Sequence, residues 1–194
     1  MKTYIILLSL FLTSGISQAS TIAYSVILDG LTEAVPNASP ATGLGTVVFD
    51  DVFSTMNVQF SFSDLLGMTA AAHIHAATAT PFSGTAGVAT ATPTFPSTPL
   101  GVTSGSYSQL FDMTLASSYN PAYITANGGT TASAFNALLL AADEGKAYLN
   151  IHTNIFLGGE IRGFLTQTTS VPEPSSLLLL LTGIVGFTFR RKRL

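Results

Sequence analysis

The stretch MNVQFSF, residues 56–62, decides the fold class, because its side chains alternate strictly between apolar and polar. Polar side chains occupy the odd positions, and apolar ones occupy the even positions Met56, Val58, Phe60 and Phe62. A period of two residues is typical of a β-strand with one face on a core and the other in water. The stretch therefore predicts a sheet that buries one face.

Working outward, six further segments rich in β-branched, aromatic or alternating residues predict short strands at 22–28, 45–49, 70–76, 110–115, 147–153 and 160–165. One helix is predicted over Ala132–Ala142, capped by Thr131 or Ser133, with an apolar stripe of Phe135, Leu138 and Leu139. Residues 78–105 are rich in Thr, Ala, Pro and Gly and predict a long surface loop with at most one weak strand. Many short strands with one helix favour a mainly β domain, an antiparallel β-sandwich or flattened barrel.

The N-terminal segment predicts a cleavable signal peptide. Residues 1–19 contain a cation at Lys2, an apolar core at 4–12, and the small-x-small sequence Ser17-Gln18-Ala19. Cleavage is expected after Ala19, so that the folded domain begins at Ser20.

The C-terminal segment, residues 171–194, has three parts in a fixed order. Pro172-Glu173-Pro174 is followed by an apolar run at 177–189 and then by a basic cluster, Arg190, Arg191, Lys192 and Arg193. An apolar run that ends in cations suits a bilayer with the cations on the cytoplasmic side, which predicts a transmembrane segment at 177–189. The folded domain is thereby confined to residues 20–170.

This tail resembles the PEP-CTERM sorting signal of Gram-negative bacteria that make extracellular polysaccharide. The resemblance implies transient anchoring in the inner membrane and processing near the Pro-Glu-Pro by a membrane protease of the exosortase type. It further implies delivery to the cell surface or extracellular matrix. An ordinary C-terminal anchor is the alternative, but the apolar run is shorter than the ~20 residues of a typical spanning helix.

Composition excludes several functions. Within residues 20–170, Lys146 and Arg162 stand against nine acidic side chains, a net charge of about −7, which argues against nucleic acid as a partner. The chain has no Cys, so it has no thiolate nucleophile and no thiolate metal ligand. It also lacks a Gly-x-Ser-x-Gly elbow and a phosphate-binding loop. We therefore expect no catalytic residues.

The three histidines form the first candidate site. His73 and His75 are two apart in a predicted strand and share a face, while His152 occupies the polar phase of 147–153. All three are predicted on the wet side of their strands. If the strands are neighbours, the imidazoles converge in a set suited to Zn²⁺ or Cu²⁺. The alternative is a structural network in which the imidazoles bond to backbone or to an adjacent loop.

Glu160 and Arg162 form the second candidate. The sequence Leu157-Gly158-Gly159 predicts a turn that joins 147–153 and 160–165 in an antiparallel hairpin. Arg162 is the only arginine of the domain, so a bidentate pair with a carboxylate is expected. Such an ion pair would order the hairpin; the alternative is that Glu160 and Arg162 bind a ligand.

These segments together resemble the CHRD domain, named from chordin and widespread in secreted bacterial proteins. The resemblance spans about 22–165 and is carried by AHIH at 72–75, AYLNIHT at 147–153 and GGEIRG at 158–163, with LDGL at 28–31, Glu33 and Pro36. The family usually continues after His-x-His with a Gly-Pro type of turn, where this chain has Ala76-Ala77-Thr78. The resemblance implies an extracellular β-structured module without an established enzymatic activity.

Two functions follow as expectations. The first is an exported surface or matrix module with a binding or structural role in adhesion or biofilm matrix, requiring no cofactor. Its partners would be extracellular polysaccharide or surface proteins. The second is a protein with a single zinc or copper site, in its boldest form with metal-dependent redox activity. Three histidines are too few for a two-metal site of the copper–zinc superoxide dismutase kind.

Overall fold

A computed structural model describes residues 21–168. The predicted signal peptide and the C-terminal sorting segment lie outside the described residues. Within this range there are two α-helices, α1 (Pro121–Ala126) and α2 (Thr131–Asp143), after a short 3-10 turn at Ala116–Ser118. The strands are β1 (Thr21–Asp29), β2 (Thr42–Asp50), β3 (Thr55–Ser63), β4 (Thr69–His75), β5 (Gly105–Asp112), β6 (Tyr148–Thr153), β7 (Ile161–Phe164) and β8 (Thr166–Gln167).

The strands form one antiparallel sheet in the order β4-β6-β7-β1-β2-β3-β5, with β8 also paired to β1. The sheet curls into a half-barrel. The predicted class, mainly β and antiparallel, is confirmed. Because β7 and β8 pair with β1 in the middle of the sheet, the N-terminal and C-terminal strands are hydrogen-bonded into one layer. This single curled layer takes the place of the sandwich or flattened barrel left open by the sequence.

The apolar phase of residues 56–62 is buried as predicted: Met56 and Val58 are fully inaccessible, and Phe60 and Phe62 are nearly so. Helix α2 packs on this core, with the Phe135 ring 6.0 Å from that of Phe49 between centroids. The predicted helix is confirmed, although its N-cap is Thr130, which forms a capping box with Ser133.

Three features of the fold escape the sequence patterns. Helix α1 is only six residues long, too short to show a period, although Asn120 caps it and Pro121 begins it. Strand β5 begins five residues before the predicted 110–115, because its first two residues, Gly105 and Ser106, carry no apolar signal. Strand β8 has two residues.

Residues 78–105 lie almost entirely outside the helices and strands and are mostly exposed, as their composition predicts, but part of this segment packs against the sheet. Their backbone bonds along the edge of β4: Ala89 N donates to Ile74 O at 2.9 Å, and Phe95 N donates to Ala72 O at 2.9 Å. Phe95 is fully buried, and its ring stacks on Tyr107. Nothing in the sequence predicted this packing, because small residues and prolines have no periodic pattern even where they cover a sheet.

Between residues 21 and 168, neither helix is long and apolar enough to cross a bilayer. The transmembrane segment predicted at 177–189 lies outside this range.

Candidate metal centre

The structure brings the three histidines together on the sheet face opposite the apolar core. Strands β4 and β6 are antiparallel neighbours, with Ala71 opposite His152 and His73 opposite Asn150. The ring centroid of His73 lies 4.7 Å from that of His75 and 4.6 Å from that of His152. One ring nitrogen from each histidine lies within 4.8 Å of the other two. The convergence expected from neighbouring strands is therefore present.

Each imidazole is oriented by a backbone carbonyl at Nδ1. The acceptors are Pro93 O at 3.3 Å from His73, Ala86 O at 2.9 Å from His75, and Leu157 O at 3.0 Å from His152. Because a carbonyl only accepts, Nδ1 carries the proton, and the lone pair of a neutral ring is then on Nε2. Carbonyl contacts of this kind orient histidine ligands in metal sites.

The three Nε2 atoms are buried and have no hydrogen-bond partner in the part of the chain that the structure describes. His73 and His75 are only 6% and 8% exposed, so the predicted wet face is wrong. The reason is the segment of residues 84–94, which lies over this face and supplies two of the carbonyl acceptors. Polar atoms that are buried and unpaired are uncommon in folded proteins and call for an explanation.

Burial keeps all three imidazoles neutral. Burial, together with the neighbouring rings of His152 and His75, lowers the pKa of His73 to about 3. Burial lowers the pKa of His75 to about 4, and it also lowers the pKa of His152. At neutral pH no proton competes for the three Nε2 lone pairs.

Two further side chains, Tyr148 and Arg162, pack next to His75. The sequence patterns gave Tyr148 no role and suggested a different partner for Arg162. The Tyr148 ring stacks on His75, with centroids 4.7 Å apart and planes 3° from parallel. The guanidinium carbon of Arg162 lies 4.7 Å from the centre of the same Tyr148 ring. Tyr148 shares the polar phase of β6 with His152, and this spacing is the only sequence signal for its role.

Arg162 has a different partner from the one expected. Its Nε lies 3.8 Å from Oε2 of Glu33 and donates to Thr32 O at 2.5 Å, while one Nη donates to Gly84 O at 2.8 Å. The contact with Glu33 is not bidentate, and Glu160 is not the partner. Burial raises the pKa of Glu33 to about 7, although Arg162 opposes this rise. Arg162 thus ties the loop after β1 and the segment that covers the histidines to the β6–β7 hairpin.

Glu160 is fully buried and has no cationic partner among residues 21–168. Its Oε1 accepts from the Ser39 hydroxyl and the Leu66 amide, both at 2.6 Å. Its Oε2 accepts from the Gly67 amide at 3.0 Å and from the Thr153 hydroxyl at 2.8 Å. The carboxylate thus joins Thr153 of β6 to the loops at Ser39 and at Leu66-Gly67 through neutral donors, and the ion pair with Arg162 that the sequence suggested is absent among residues 21–168.

Two known protein families match parts of this chain. The CHRD domain matches residues 24–165, nearly three quarters of the chain, so the protein belongs to the CHRD domain family. The PEP-CTERM protein-sorting motif matches residues 170–193, which include Pro172-Glu173-Pro174 and the basic cluster. Both resemblances are confirmed. No curated protein and no solved structure matches the chain.

The sorting motif indicates a protein that is exported and processed at the cell envelope, with recognition by an exosortase. The CHRD domain is consistent with export.

Proposed function

We propose that this exported CHRD domain is a metal-binding module that holds one copper or zinc ion between His73, His75 and His152. The observation that carries the proposal is a cluster in which one ring nitrogen of each histidine lies within 4.8 Å of the other two, while all three Nε2 atoms are buried and unpaired among the described residues. A purely structural network would give these atoms hydrogen-bond partners. Leaving each without a partner costs roughly 1–3 kcal/mol, a cost that a shared ion removes.

The geometry fits an ion of this size. Zinc and copper lie about 2.0–2.1 Å from an imidazole nitrogen, and atoms within 4.8 Å of one another reach that distance by shifts of under about 1 Å. The proton on Nδ1 and its carbonyl acceptor leave Nε2 as the only ligand atom of each ring. No catalytic step is part of the proposal.

Metal analysis tests this proposal. The protein is isolated from the producing cells without a polyhistidine tag, challenged with zinc or copper, desalted, and analysed by inductively coupled plasma mass spectrometry. We expect near-stoichiometric metal, lost in the variant His73→Gln, His75→Gln, His152→Gln. The variant Asn57→Ala, on the opposite half of the sheet, is the matched control. Absence of metal after the challenge, or metal retained by the triple variant, would contradict the proposal.

We also propose that the module acts in the surface layer or matrix, through the face of β2, β3 and β5 that points away from the core. The exposed polar side chains of this face include uncharged hydroxyls and an amide, at Thr46, Gln59, Ser61, Ser106 and Ser108, while the acidic Asp112 is exposed at the end of β5. The hydroxyl and amide groups suit hydrogen bonding to a neutral polysaccharide.

Retention on extracellular polysaccharide from the same cells tests this second role. The paired variant Gln59→Glu, Ser61→Asp is expected to lose retention, whereas the triple histidine variant is expected to keep it. The two roles are thereby separated. Failure of the unaltered protein to be retained would refute the matrix role and leave the metal site untouched.

A further inference from the structure

The three-histidine cluster is closed to solvent, and this bears on which ion it would bind. The inference rests on the proposed metal-binding function. We propose that the site selects monovalent copper, Cu(I), bound in three-coordinate geometry, over the divalent ions Zn²⁺ and Cu²⁺.

The first argument is the number of ligands. Among the His, Cys, Asp and Glu side chains of residues 21–168, the group that could hold an ion consists of His73, His75 and His152. Zinc sites with three protein ligands complete their tetrahedron with water in an open position. Here the three Nε2 atoms have almost no accessible surface, so solvent does not reach the centre of the cluster. Cu(I), a d¹⁰ ion, is stable with three nitrogen ligands and needs no fourth.

The amide of Asn150, the remaining polar side chain of this phase of β6, is directed elsewhere. It lies against Gly159, and its Nδ2 contacts Gly158 O at 3.5 Å. The backbone φ of +125° at Gly159 and its missing Cβ leave room for this amide beside Glu33. Asn150 thus belongs to the polar layer around Arg162.

The second argument is charge. All three ligands are neutral, and no carboxylate belongs to the cluster. The cost of burying an ion rises with the square of its charge, so a divalent ion costs about four times as much as a monovalent one in the same cavity. Sites for divalent ions offset this cost with anionic ligands or a polar, open position, and this cluster has neither.

The third argument is the stack behind His75. The Arg162 guanidinium lies over Tyr148, and Tyr148 lies parallel to His75, which places a fixed positive charge two ring layers from the ion. Glu33 contacts that cation through one oxygen, Oε2, which lies 3.8 Å from Nε of Arg162. This arrangement disfavours every additional positive charge in the cluster, and therefore favours the ion of lower charge.

Competition on the full-length protein tests the inference. Cu(I), kept reduced with ascorbate under nitrogen, is titrated against bicinchoninate, and Zn²⁺ is titrated against a chromogenic chelator. We expect one Cu(I) per chain, bound more tightly than Zn²⁺ by about a hundredfold or more. X-ray absorption at the copper edge is expected to show three nitrogen neighbours. Ag(I), a redox-inert ion of the same charge, is expected to compete with Cu(I).

A matched variant tests the argument from ligand charge. His152→Asp replaces a neutral ligand by an anionic one and is expected to shift the preference toward Zn²⁺. Zn²⁺ bound as tightly as Cu(I) by the unaltered protein, or copper with a fourth ligand, would overturn the inference while the metal-binding function stands. Binding of no ion at all would remove both.

Discussion

Thr153 donates its hydroxyl proton to Oε2 of Glu160 over 2.8 Å, and this bond joins the two strands of the hairpin that presents His152. Amides of the loop before β4, at Leu66 and Gly67, donate to the same carboxylate. His152 therefore lies on a hairpin whose buried carboxylate accepts hydrogen bonds from neutral donors of the hairpin itself and of the loop before β4. This arrangement makes the stability of the site depend on the charge of one carboxylate.

Replacing Glu160 by Gln is expected to lower the free energy of unfolding by about 2–4 kcal/mol. Hydrogen bonds to a charged acceptor contribute about 1.5–3 kcal/mol, and an amide NH₂ facing the Leu66 or Gly67 amide would leave donors unpaired. Urea unfolding measures the change. Glu144→Gln, which removes a half-exposed contact with Lys146, is the control and is expected to change stability by less than about 1 kcal/mol. Equal losses of stability in the two variants would show that the burial of Glu160 does not add to the contribution of its hydrogen bonds.

The pH dependence of stability is expected to reveal Glu33. Burial raises its pKa to about 7, above the value of ~4.3 in an unfolded chain. A carboxyl with a raised pKa contributes stability that is fully present below the unfolded pKa and is lost as the pH rises through the folded pKa. The loss therefore falls between about pH 4.5 and 7.5.

The isosteric variant Glu33→Gln has no proton to lose, so it isolates this effect. The free energy of unfolding of the variant minus that of the unaltered protein is expected to rise by about 2 kcal/mol between pH 5 and pH 8. Urea unfolding of both proteins at the two pH values gives the comparison. The opposite sign would mean that attraction between Glu33 and Arg162 outweighs the cost of burying the charged carboxylate.

Metal binding is expected to stabilise the fold. An ion that binds only the folded protein, at 100 times its dissociation constant, adds about 2.7 kcal/mol to the free energy of unfolding. Differential scanning calorimetry should therefore show a higher Tm when copper is added under reducing conditions. The triple histidine variant should show no shift, and an equal shift in that variant would assign the binding to other groups.

Tyr148 is expected to act as a positioning residue for His75. Tyr148→Leu removes the ring that lies between His75 and Arg162, and metal affinity is expected to fall by about 10–100-fold, as for other groups behind metal ligands. Tyr148→Phe keeps the ring but loses the hydroxyl that accepts from the Ala86 amide, so a smaller fall is expected. Competition titration compares the metal affinities of the two variants, and far-ultraviolet circular dichroism checks that both are folded. Unchanged affinity in Tyr148→Leu would show that the ring only fills space.

The sequence predicted what depends on local periodicity. Alternation in residues 56–62 placed a strand and its buried face, and the stripe of Phe135, Leu138 and Leu139 placed α2. The shared face of His73 and His75 likewise follows from their spacing. Each of these depends on neighbours within one element, which a single sequence displays.

Other features depend on contacts between distant segments, which spacing does not display. The partner of Arg162 is Glu33, more than a hundred residues away, and nothing in the pattern links them. The burial of His73 and His75 depends on residues 84–94, whose small side chains resemble those of an ordinary loop. The carbonyls that orient the rings are backbone groups, and any residue type supplies them.

The carbonyls that orient the rings come from Ala86, Pro93 and Leu157, and the ligands come from strands that are far apart in the chain. An unfolded chain offers only the isolated His73-Ile74-His75 pair, which is a weak ligand. The cluster is therefore complete only when both strands and their covering segment have docked. For an exported protein, the compartment in which folding finishes would thus decide which ions are available to the proposed site.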